Sequence, residues 1–184
     1  MIKDSRFKNK EKGFTLIEIM TALSIFAIVM TVSMGSILGI FDANRKSRSL
    51  KAVMSNLNLA LESMSKEMRF GRNYHCGLAG PLTSPQNCVA GDTLMSFLSS
   101  EGVQVTYRLN GSALEKQSGT GDFEPVTAPE VVIDDLDFYT LGAGTGNTLQ
   151  PRALIKIMGH AGTQGKGRSD FTLQTLVSQR ALDI

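Results

Sequence analysis

The pattern of hydrophobic and polar positions changes character three times along the chain. Across residues 14–41 nearly every side chain is apolar or small, and Glu18 is the only charged one. About 20 apolar residues in helical form cross a bilayer, and at about 1.5 Å of rise per residue this stretch reaches roughly 42 Å. It predicts a helix that is apolar all round, suited to lipid or to a bundle of like helices. Leu50, Met54, Leu57, Leu61, Met64 and Met68 then follow at alternating spacings of four and three, an apolar seam on one side of a helix. Val53 widens the seam, while Lys51, Asn58, Glu62, Lys66 and Glu67 lie on or beside its polar flank. No proline occurs before Pro81, so both stretches are expected to form one helix running to about Phe70 and stopped by Gly71. The seam predicts packing against a sheet. A coiled coil with another chain is the second option.

Beyond Gly71 the period shortens. Residues 72–91, rich in Gly, Pro, Ser and Asn, read as a loop, and 93–98 as a short apolar strand. Val103, Val105, Tyr107 and Leu109 alternate with Gln104, Thr106 and Arg108, the mark of a half-buried strand. Asn110-Gly111 is a hairpin signal, with 112–116 as the returning strand. Further strands are expected at 131–133, 136–140, 153–158 and 171–178, separated by exposed loops at 142–150 and 159–169. The fold class is therefore α+β: a long N-terminal helix, half transmembrane and half amphipathic, packed on an antiparallel sheet of four to six strands.

Composition narrows the function classes. The chain has 184 residues and a net charge of +2, so no large basic surface points to nucleic acid and no acidic excess to a cation store. Five bases (Lys3, Arg6, Lys8, Lys10, Lys12) precede the apolar run, but Arg45, Lys46, Arg48 and Lys51 closely follow it, so charge alone orients the helix weakly. For the second group, lipid phosphate beside a membrane is a better partner than DNA. A carboxylate inside a membrane costs about 2.5–3.5 kcal/mol, so Glu18 needs a reason to be there.

Other candidate chemistry is sparse. Cys76, Cys88, His75 and His160 could supply four zinc ligands, but their spacing fits no common zinc pattern. Asp134, Asp135 and Asp137, with Asp92, Asp122 and Glu124 elsewhere, lack the order of a calcium loop and read as a solvated turn. Gly142 to Gly146 precedes no helix that could seat a phosphate. With two histidines and no hydrolase or metalloprotease motif, no catalytic residues, metal or cofactor are assigned.

The string Lys12-Gly13-Phe14-Thr15-Leu16-Ile17-Glu18, after a basic leader and opening a long apolar helix, resembles the N-terminal signature of type IV prepilins and of type II secretion pseudopilins. The resemblance implies cleavage after Gly13 by a prepilin peptidase, N-methylation of Phe14, and an assembly role for Glu18. It also implies other pilin or pseudopilin subunits and an inner-membrane assembly platform as partners, with lipid around the helix beforehand. In a stack of subunits the new α-amino group of Phe14 could neutralise Glu18 of a neighbour, relieving two ions of isolated burial. Glu18 could instead lie at headgroup level. Many pilins carry a proline where this chain has Gly35; here Gly35 could permit local unwinding, or pack closely with Ser33, Ser36 and Gly39. Residues 57–72 and 171–180 resemble J-type minor pseudopilins and W-type minor pilins.

These expectations divide the chain into a cleaved leader (1–13), an assembly helix (14–41), an amphipathic continuation (42–71) and a β-rich head (72–184). The head would face the periplasm or the exterior, where Cys76 and Cys88 are expected to form a disulfide. The function expected is a structural subunit, minor rather than major, of a secretion pseudopilus or pilus-like filament. Alternatives are a pilin for adhesion or DNA uptake, or a non-assembling anchored binding protein that keeps its leader.

Overall fold

The computed structural model describes residues 13–146, 148–162 and 168–180. Residues 1–12 of the expected 1–13 leader, 147 of the expected 142–150 loop, 163–167 of the expected 159–169 loop and 181–184 of the expected head lie outside them. The chain divides into two units, residues 1–43 and 44–184. One helix, α1 (Leu16–Phe70), occupies the described end of the first unit and opens the second.

In the first unit the apolar side chains of α1 are all exposed. Four of its hydroxyls are turned inward on the helix: Thr21 donates to the carbonyl of Glu18 (3.0 Å), Ser24 to Met20 (2.8 Å), Thr31 to Ala27 (2.7 Å) and Ser36 to Val32 (3.3 Å). Each such bond satisfies a polar group without an outside partner, as a helix in hydrocarbon requires.

In the second unit α1 buries Val53, Leu57, Ala60, Leu61, Met64 and Met68. Met54 and Leu50 are only half-buried, so the packed stripe is turned toward Val53 and Ala60 relative to the expected seam. The helix ends where the amide of Gly71 and the hydroxyl of Tyr74 both donate to the Met68 carbonyl (2.9 and 2.6 Å). Gly71 acts by size. A Cβ there would stand 2.6 Å from the Phe97 ring and 2.9 Å from the Leu98 carbonyl oxygen. The left-handed backbone needed to turn the chain falls to Asn73, with φ 56°, a conformation asparagine tolerates.

Among the described residues nine strands follow. The first sheet contains β1 (Arg72–Cys76), β3 (Leu94–Leu98), β4 (Gln104–Asn110), β5 (Ala113–Ser118) and β6 (Glu124–Pro125), in the order β1-β3-β4-β5-β6. The second contains β2 (Cys88–Asp92), β7 (Val131–Leu141), β8 (Arg152–Ala161) and β9 (Ser169–Ser178), in the order β2-β7-β8-β9. All pairings between these strands are antiparallel. Leu57, Met64 and Met68 of α1 share one core with Phe97 and Tyr107 of the first sheet and Leu136, Phe138, Ile155 and Ile157 of the second. The architecture is α+β and pilin-like.

Several details differ from expectation. The strands form two sheets rather than one, because alternation identifies the buried face of a strand and not its neighbours. The supposed loop at 72–91 contains β1 and all of β2 but its last residue. The strands expected at 131–133 and 136–140 are one strand, β7, whose register shifts between Ile133 and Asp135, as an extra residue in a bulge demands. Residues 159–161 belong to β8. At Gly159 a Cβ would collide with the Val132 carbonyl and stand 2.8 Å from Phe171, so glycine is required by the close approach of its neighbours.

Candidate assembly helix and processing site

Gly13, Phe14 and Thr15 precede α1 and are not helical. Thr15 is the N-cap. Its hydroxyl oxygen accepts the Glu18 amide (3.3 Å) and its carbonyl accepts the Ile19 amide (3.2 Å). Without such acceptors the first amides of a helix have no partner. Glu18 therefore occupies the third helical position, where a carboxylate also favours the positive end of the helix dipole. Thr-x-x-Glu is a helix-start signal in its own right, and it was readable in Thr15-Leu16-Ile17-Glu18. Glu18 is exposed within the chain, as is Phe14. A continuous apolar surface with one carboxylate near its start can enter lipid or be covered by like helices.

The two cysteines meet in a disulfide with a Cα–Cα distance of 5.5 Å. Cys76 lies on β1 and Cys88 on β2, so the bond joins the edges of two different sheets. Both sulfurs lie against the carbonyl oxygen of Phe138 (3.2 and 3.0 Å); these are contacts, since an oxidised sulfur has no proton to donate. The other members of the considered zinc set are engaged elsewhere. Buried His75 bonds the Ser84 carbonyl through Nδ1 (2.7 Å), which must carry the proton there. His160 bonds Asp134 (2.9 Å). Among the described residues no three His, Cys, Asp or Glu side chains are grouped to hold a metal.

The acidic cluster is not a turn. Asp134, Asp135 and Asp137 lie on β7, and basic groups face them: Lys156 lies 3.7 Å from Asp135 and 3.4 Å from Asp137, and Arg168 lies 3.7 Å from Asp134. The hydrogen bond to Asp137, with the neighbouring charges, raises the Lys156 pKa above its ordinary range. Asp92 turns to the Leu94 amide (3.3 Å). Arg45, Lys46, Arg48 and Lys51 are exposed along α1.

A family model, the prokaryotic N-terminal methylation motif, matches residues 8–34. The chain carries a type IV pilin-like prepilin signature. No curated protein and no solved structure matches the chain. The prepilin motif supports a pilin-like assembled subunit, and it implies processing by prepilin peptidase and assembly with other pilin subunits. Together with an N-terminal helix long and apolar enough to cross a membrane, it points to a membrane-anchored subunit.

Proposed function

We propose that this chain is a minor structural subunit of a type II secretion pseudopilus or a type IV pilus-like filament. It enters the inner membrane with its head on the periplasmic or outer side. A peptidase removes residues 1–13 between Gly13 and Phe14, and Phe14 is methylated. The helix of residues 14–41 then leaves lipid for a core lined by the same segment of neighbouring subunits, while 42–71 carries the helix into the head. The work is done by burial and registration, with no catalytic step by this chain. Each subunit's Glu18 meets the terminal ammonium of a neighbour's Phe14, so correct register removes two isolated charges from hydrocarbon.

The observation that carries this reading is the prepilin motif opening a helix whose apolar surface is uncovered within the chain and bears one carboxylate. The test is made in cells with a working processing peptidase. Wild-type protein is expected to begin at methyl-Phe14, whereas an intact Met1 supports a non-assembling anchored protein instead. Glu18→Ala is expected to be made and processed normally yet fall by about tenfold or more in sheared filaments, the ratio that 1.4 kcal/mol of lost pairing produces. Undiminished incorporation would reject the pairing.

A further inference from the structure

We infer that Thr15 positions the scissile bond for processing: by capping α1 at Leu16 it keeps the Gly13–Phe14 peptide outside the helix. This rests on the processing reading above. In hydrolysis, water adds to the carbonyl carbon of Gly13, the bond from that carbon to the Phe14 nitrogen breaks, and a carboxylate on Gly13 and an ammonium on Phe14 result. An enzyme must bring its own hydrogen-bond donors to that carbonyl oxygen, so the oxygen must not be held in a helical hydrogen bond. A helix begun two residues earlier would give the Gly13 carbonyl to the Ile17 amide, in the i to i+4 pattern.

The chain nearby does little to prevent that extension. Lys10, Glu11, Lys12 and Phe14 are compatible with helix, no proline stands before the site, and Gly13 alone resists. Against it, Thr15 offers the Glu18 amide an acceptor at 3.3 Å that exists only if the helix starts at the next residue. The peptide so released is open to an enzyme: nothing lies within 4 Å of a Cβ built on Gly13, and Phe14 is 77% exposed. Thr15 is thus a positioning residue. It would act through the backbone, and any side chain with a capping oxygen should replace it.

The full-length precursor in membranes, incubated with a prepilin peptidase, separates these roles. Thr15→Val keeps the shape and removes the acceptor; cleavage is expected to slow by up to about fivefold, the full shift that loss of a cap gives the helix start. Thr15→Ser keeps the acceptor and should be cut at close to the wild-type rate. Amide exchange at Ile17 in the uncut precursor should slow in the valine variant alone. Cleavage of Thr15→Val at the wild-type rate overturns the inference, as does Thr15→Ser being as slow as valine. Slow cleavage with unchanged Ile17 exchange also overturns it, since the enzyme would then be reading the hydroxyl directly. A wild-type precursor left uncut removes the processing reading itself.

Discussion

The Tyr107 hydroxyl reaches from β4 to α1, donating to Glu67 (2.9 Å), whose other oxygen receives Lys116 of β5 (2.6 Å). Tyr107 is almost fully buried. Burial first, then the Glu67 charge and hydrogen bond, push its phenol well above the ordinary 10.0. The folded head therefore keeps a proton that the unfolded chain releases above about pH 10. Its contribution to stability is whole below that pH and shrinks as pH rises further, by up to about 1.4 kcal/mol per unit. Urea melts at pH 9 and 11 should show the wild-type head losing more stability over that interval than Tyr107→Phe. At neutral pH the same variant should be less stable by about 1.5–3 kcal/mol, the worth of a bond to a charged acceptor. Gly159→Ala should cost about 1–3 kcal/mol through overpacking against Val132 and Phe171, read as a lower urea midpoint.

Among the elements, α1 was the most legible. Its apolar run and the three-and-four spacing of Leu57, Leu61, Met64 and Met68 are strong local signals, and Leu57→Ala should cost about 2–5 kcal/mol by cavity formation. The strands from β3 onward were largely legible from alternation, including the β4–β5 hairpin at Asn110-Gly111. β1 and β2 were not. Each is five residues long, and the glycines, prolines and asparagines around them mimic a loop. The Asp134 to Asp137 cluster misled for a related reason: charges in mid-strand look like a turn until Lys156, His160 and Arg168 are brought opposite them. At the candidate processing site Gly13, Phe14 and Glu18 stand out in the motif, and the Thr-x-x-Glu helix start is legible in the same string although the family signature draws the eye from it.

For the whole molecule, among the described residues, the division at residues 43 and 44 separates a segment with no buried side chain from one that holds the core. A chain beginning at Asn44 is expected to remain soluble without detergent and to unfold in a single cooperative transition by circular dichroism. The full-length chain should partition into detergent or membrane. Precipitation of the truncated chain, or a broad uncooperative melt, would contradict the division. The Cys76–Cys88 link adds a temporal consequence. Because its two sulfurs sit on strands of separate sheets, the pair can close in its native place only after those sheets have found each other. A time course of thiol alkylation during refolding of the reduced head, read beside tyrosine fluorescence of the core, should show the two cysteines becoming unreactive no sooner than the layers dock; earlier loss would mean that cysteines 12 residues apart pair first.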